Sequence, residues 1–301
     1  MQLQQLAYFV AVADAGHFTR AAERLEVTQP TLSQQIRALE RSLGAVLLHR
    51  RPGHVEPTAA GAELLPIARR MLLEAENARR ALRELDGLQR GQVRVGATPS
   101  LCTGLMPAII GEFHAAHPGV AIVLSEGGSR DLQEQLASGA LDLALIVDSR
   151  AHDDPRLTAD PLFVEELVVV SSRARPAPSR RARMRIEELQ RTPLVMFRAG
   201  YDLRETTLAA CRDHGFVPTF AVEGGEMDAV LGFVAAGIGV AVVPSTVVGP
   251  QFRATRLAAP GLVRTIQLAR RRDVDLSRAA GVLEQVIRTH AAGRRATATA
   301  G

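Results

Sequence analysis

Residues Phe18 to Gly44, FTRAAERLEVTQPTLSQQIRALERSLG, constrain this chain most, because they fit two short helices meeting at a tight turn. In the second half Leu32, Ile36, Leu39 and Leu43 recur at steps of three and four, which stacks them on one side of a helix. Gln29, Ser33 and Arg37 fall on another side, and no acidic residue stands between Val27 and Leu39. Such a face can approach phosphates without like-charge repulsion, and its amide, hydroxyl and guanidinium groups can meet base edges. Thr28 fits an N-cap and Pro30 a first turn. Ahead of the turn, Thr19 can cap a helix whose Ala21, Ala22 and Leu25 let the two helices cross closely. Leu3, Leu6, Val10 and Ala13, ended by Gly16, supply a third helix. Three ordinary core helices are the plainer reading of this segment, since amphipathic pairs are common.

The next residues favour the more specific one. Val46 to Leu48 is a short apolar run, followed by His49, Arg50, Arg51, Pro52, Gly53, His54 and Val55. Pro-Gly fits the centre of a type II turn, so a two-stranded wing is expected with two arginines near its tip. Leu3 to Gly61 resembles the winged helix-turn-helix of the LysR-type transcriptional regulators. The matching residues are Phe9, Val12, Gly16, Phe18, Ala21-Ala22, Leu25, Gln29-Pro30, Ser33, Ile36, Leu39-Glu40, Gly44, Leu47, Arg50, Thr58 and Gly61. His17 and Leu48 depart from the family pattern and lie off the proposed reading face. The expected DNA-binding set is Thr19, Thr28, Gln29, Pro30, Thr31, Ser33, Gln34, Arg37, Arg50 and Arg51, with Gln29 and Ser33 setting base preference and Arg50 and Arg51 holding phosphates.

Composition adds little. A 47% hydrophobic content supports buried cores, but residues 1–57 balance six Arg against five acids, so bulk charge does not mark a nucleic-acid binder. Every one of the 36 basic residues is Arg, read here as compositional bias. The Met1 to Gln5 start lacks a secretory pattern and no apolar stretch is long enough to span a membrane, so a cytoplasmic protein is expected. Cys102 and Cys211 lie far apart and form no metal-ligand pair, and packed thiols are favoured over a redox switch. No cofactor or metal motif stands out.

From Thr58 to Leu88 one long helix is expected, about 45 Å at 1.5 Å per residue, with Leu64, Ala68, Met71, Ala75, Ala78, Leu82 and Leu85 forming a coiled-coil seam for a second copy. Pro66 should kink it near its start. A connector packed on its own body is the alternative. After Gly91, strands at Val93–Ala97, Val120–Ser125 and Leu141–Val147 alternate with helices at Leu105–Ala116 and Leu132–Ser138, which implies a parallel sheet. A second set runs from Phe163 through Leu167–Val170, Leu194–Phe197, Phe216–Val222 and Val240–Val243, with helices Leu203–His214 and Met227–Ala236. A returning strand Val263–Leu268, a last helix Leu276–Thr289 and a loose tail Gly293–Gly301 complete the chain.

The fold expected is therefore an α+β N-terminal winged helix-turn-helix, a long linker helix, then a two-lobed α/β domain. Its divisions are 1–58 for DNA binding, 59–90 for the linker and dimerisation, and 91–301 for regulation, with lobe I at about 91–161 and 269–292 and lobe II at about 162–268. LASGALDL from Leu136 and AAGIGVAVVP from Ala235 resemble the family's effector-binding domain, which has a periplasmic-binding-protein-like architecture. That resemblance implies double-stranded operator DNA, a small effector, and a homodimer that pairs into a tetramer. Helix N-termini facing strand ends favour anions, so a small anionic effector is expected at Ser100, Thr103, Ser129 and Arg198, with Met227 as an apolar wall. Helix capping accounts equally well for each hydroxyl. The six arginines of Arg173 to Arg185 read as a solvated connection. An enzyme, or a solute-capture protein using the two-lobed domain, is the rival class; no phosphate loop, metal-spaced His cluster or nucleophile turn supports the first, and a DNA-reading start argues against the second.

Overall fold

The computed structural model describes residues 1–51, 54–84, 91–148 and 154–299 and divides into two units, Met1–Leu85 and Asp86–Gly301. In the first, α1 (Leu3–Ala15), α2 (Phe18–Arg24) and α3 (Gln29–Leu43) enclose a core of Leu6, Phe9, Val12, Ala21, Leu32, Ile36 and Leu39. Gly16 and Gly44 end α1 and α3 with φ of 63° and 66°, a left-handed turn that favours glycine. The Thr28 hydroxyl accepts from Thr31 N at 3.4 Å, the cap its sequence position predicts. Thr19 is not a cap. Gly16 turns the chain so sharply that α2 starts at Phe18, and Thr19 lies exposed inside it. The inward stripe of α1 is Leu6, Phe9 and Val12, while Leu3 and Leu43 stay exposed because they sit at helix ends beyond the core.

Strands β1 (Leu48–Arg51) and β2 (His54–Pro57) pair antiparallel as the expected wing; its Pro52 and Gly53 lie outside the described residues. Val55 N donates to Gly16 O at 2.8 Å and ties the wing to the end of α1. Helix α4 (Ala59–Glu84) runs unbroken through Pro66. At Gly61 a Cβ would lie 2.0 Å from Leu47 O, so only glycine lets α4 approach the start of the wing. Leu64, Ala68 and Leu72 pack on the three-helix core, so the first part of the expected seam is covered by the chain itself. Free of that core are Met71, exposed, and Ala78; Leu82 and Leu85 lie outside the residues whose side chains are described.

In the second unit, β3 (Gly91–Ala97) pairs in parallel with β4 (Val120–Glu126) and β5 (Leu143–Val147), joined by α5 (Pro99–Gly104), α6 (Met106–Ala116) and α7 (Ser129–Ser138). The sheet is mixed rather than parallel throughout. Its centre is β6 (Leu157–Ser172), sixteen residues long, antiparallel to β10 (Ala241–Pro244), β11 (Phe252–Leu257) and β12 (Leu262–Arg271); short β7 (Arg183–Met184) lies at one edge. β6 and β12 each contribute to two cores. One holds Val95, Phe113, Leu145, Ile266 and Leu283; the other holds Leu167, Phe197, Val230, Val243 and Phe252, beside a small parallel sheet of β8 (Leu194–Phe197) and β9 (Phe220–Gly225). The second core is flanked by α8 (Asp202–Asp213) and α9 (Met227–Ala235).

Helix α10 (Arg278–Thr299) corrects the expected loose tail, since the Ala and Arg of residues 293–299 are strong helix formers and prolong the helix. Arg294 lies 5.9 Å over the Phe163 ring. The arginines from Arg173 to Arg185 are mostly exposed, as a solvated connection requires, with Arg173 Nε donating to Phe252 O.

Candidate DNA-reading face and effector cleft

On α3 the buried row Leu32, Ile36 and Leu39 faces the core, which turns Gln29, Pro30, Thr31, Gln34 and Arg37 outward; all five are exposed, as is Thr28 at the cap. Ser33 is half-buried because the wing comes up beside it. Arg50 Nη1 donates to Ser33 Oγ at 3.1 Å, Nη2 lies 3.5 Å from Glu40 Oε2, and the guanidinium sits 5.0 Å over the Phe18 ring. Glu40 Oε1 also accepts Leu47 N at 3.0 Å. Thus Arg50 joins the wing to α3, whereas Arg51, among the described residues, pairs with half-buried Glu56 at 3.3 Å, an arrangement that water readily replaces. Glu40 and Phe18 were not foreseen as partners of Arg50; Glu40, seven residues after Ser33 and thus on the same side of α3, was the available signal.

In the second unit the predicted residues do not form one open set of donors. Ser100 is fully buried, and its Oγ accepts from Arg264 Nη2 at 2.7 Å. Arg264 also pairs with Glu165 at 2.7 Å, both side chains almost wholly enclosed, and Thr246 donates to that carboxylate. Thr103 is exposed and donates to Pro99 O at 3.2 Å, inside its own helix. Ser129 bridges the lobes: its hydroxyl donates to Asp202 Oδ2 at 2.7 Å and accepts Val147 N at 3.0 Å. Arg198 is paired with Glu226, and Met227 is packed into the second lobe's core.

Reading hydroxyls at helix starts named Ser100 and Ser129 but not their surroundings, among them Glu165 and Arg264, which face each other on β6 and β12. Charged residues inside otherwise apolar strands were the signal. Tyr201 is 4% exposed, stacks on Phe197 at 4.6 Å, and its hydroxyl has no hydrogen-bond partner. Burial pushes its phenol above the usual range. Burial, reinforced by Glu126, raises the Cys102 thiol to about 12, and burial raises Cys211 to about 11. Among the described residues no helix is long and apolar enough to cross a membrane, and no group of His, Cys, Asp and Glu has a metal-holding arrangement.

Two family profiles match the chain. Residues 3–62 match one described as bacterial regulatory helix-turn-helix protein, lysR family, and residues 86–292 match one described as LysR substrate binding domain. The SDS degradation transcriptional activation protein of a Pseudomonas species is 35% identical over 266 residues, covering 87% of this chain and 86% of that protein. The regulator AlsR of Bacillus subtilis is 34% identical, covering 82% and 81%, and OxyR of Escherichia coli 32%, covering 83% and 81%. Among solved structures, full-length CbnR complexed with its target DNA is 25% identical with a TM-score of 0.73, over 96% of this chain and all of that one.

Proposed function

The chain belongs to the LysR family of DNA-binding transcription regulators with a small-molecule effector domain, and on that premise we propose which of its residues read and which sense. The observation that carries the reading is the outward face of α3, free of acidic residues from Gln29 to Leu39 and braced by a wing arginine, opposite the buried row Leu32, Ile36 and Leu39. Gln29, Thr31, Ser33, Gln34 and Arg37 meet base edges and nearby backbone; Thr19, Thr28 and Arg51 approach phosphates. Arg50 both faces the groove and holds Ser33 in register.

Two copies pair through α4 beyond its packed first turns, along Met71, Ala75 and Ala78, so that paired heads meet a partly palindromic site. A small polar effector enters between the lobes near Ser100, Ser129, Arg198 and Tyr201, with Thr103 and Met227 at its margins, and shifts how the paired heads sit; the site binds and performs no reaction. A redox trigger on Cys102 or Cys211 is disfavoured, since only a thiolate is reactive and both thiols are held protonated. The test is binding of the full chain to the promoter region beside its own gene across a salt series. Selective binding with a steep negative slope of affinity on salt supports the reading, and equal affinity for random DNA overturns it.

A further inference from the structure

The second lobe holds a cavity of about 130 Å³ that shares no residue with the interlobe site. It is lined by the turn from β11 to β12, by a short 3-10 turn, Ile186–Arg191, and by the end of α8. Helix α8 serves both places: Asp202 at its start bonds Ser129, while His214, just past its end, lines the cavity about 18 Å further along at 1.5 Å per residue. The walls are tied to one another. Ala258 N donates to Met184 O at 2.8 Å, Gly261 N to Ala258 O at 2.8 Å, and His214 Nδ1 to Ala210 O at 2.8 Å, so the space exists before anything enters it. Buried Ile186, Ala210 and Leu257 make an apolar floor. A cavity of about 150 Å³ holds a benzene ring, so this one takes a branched side chain of about four carbons.

The rim supplies polar groups of three kinds. Arg185 and Glu187 flank Ile186, both are exposed, and neither side chain has a hydrogen bond or ion pair among the described residues. Glu188 feels the Arg185 charge but takes its hydrogen bond from Arg185 N, at 2.9 Å, and not from the guanidinium. A carbonyl only accepts, so His214 Nδ1 carries the proton in its bond to Ala210, and in the neutral ring Nε2 is left as an acceptor.

We propose that this cavity binds a free amino acid with a small branched apolar side chain. The side chain lies on the floor, the carboxylate meets Arg185, and the ammonium meets Glu187 and His214 Nε2. A bare carboxylate would be repelled by Glu187 and a bare amine by Arg185, whereas a zwitterion satisfies both. The site stands apart from the effector reading of the interlobe cleft. Leu262, one of its walls, is also where β12 begins its pairing with β6, so an occupant touches the strand pair that both lobes share.

Calorimetry and thermal melting of the full chain with millimolar leucine, 4-methylvalerate or isoamylamine test this. The second lacks leucine's ammonium and the third its carboxylate, while the apolar part is unchanged. The expected result is a melting temperature raised by leucine, with binding about tenfold tighter than for either half-molecule. Arg185→Gln and Glu187→Gln, both at exposed positions that leave the fold intact, should each weaken leucine binding about tenfold. Ala258→Leu, which fills the space from a half-buried position, should abolish it. No response to leucine, equal binding by either half-molecule, or leucine binding unchanged in the two charge variants overturns the proposal.

Discussion

Two arginines in this molecule each hold one serine and one glutamate, in different surroundings. Arg50 reaches Ser33 and Glu40 across the wing and α3, with side chains 33% and 13% exposed in the ion pair; Arg264 reaches Ser100 and Glu165 inside the effector unit, at 4% and 2%. The first pair is wet enough to exchange partners for phosphate or base. The second has no water to fall back on, so it holds elements together rather than touching a macromolecule. The same chemistry serves contact at the surface and cohesion inside, and burial decides which.

The difference should be largest on removal of one partner. Arg264→Ala is expected to cost the effector unit about 3–5 kcal/mol, because Glu165 would be left charged and enclosed, while Arg264→Met with Glu165→Leu should recover most of it. Urea unfolding reads both, and a cost for Arg264→Ala near zero would end the contrast. Pairing of the heads gives the next effect. Met71→Asp puts an unpaired charge in the free part of α4 and should lower operator affinity about a hundredfold as avidity is lost. Unchanged sedimentation and unchanged affinity would place the dimer contact elsewhere.

Smaller effects sharpen the reading face itself. Gln29→Ala should cost about 1–3 kcal/mol at one preferred base and little on random DNA. Arg50→Ala should cost about 1 kcal/mol or less in stability and blur base preference at the position proposed for Ser33, whereas a purely phosphate-holding arginine would weaken all sequences alike. Selection from a randomised operator separates the two. Smallest is the Cys102 thiol. Raised from 9.0 to about 12, it favours the neutral form in the fold, so its stabilisation is present below pH 9 and is lost as pH climbs towards 12. Alkylation by iodoacetamide at pH 8 should be far slower than for an unfolded control.

What the sequence made legible follows a physical line. Periodicity located α3, because Leu32, Ile36 and Leu39 all reach the same core, and the Thr28 cap follows from short-range rules. Its failures sit where tertiary context overrides local pattern. A heptad from Leu64 looks alike whether the partner helix belongs to another copy or, as for Ala68, to the chain's own core. The cleft looked cationic until the fold paired Arg198 with Glu226 and Arg264 with Glu165. The β6–β12 pair escaped because sixteen residues of one strand serve two cores, so its apolar run was divided into shorter pieces.

That shared pair has a mechanical consequence. β6 and β12 stay hydrogen-bonded from Leu157–Arg271 to Leu167–Leu262, with a register shift between Ile266 and Gln267 where β12 enters the first core. Lobes joined by loops can swing freely, but lobes threaded by one continuous ribbon cannot part without bending or twisting it. A β-bulge locally raises twist and is the compliant point of such a ribbon. Movement between lobes therefore takes the form of torsion about a single bar, small in angle and springy in return. Arg264 and Glu165 are clamped across that bar beside its softest residue, where they set how stiffly it resists.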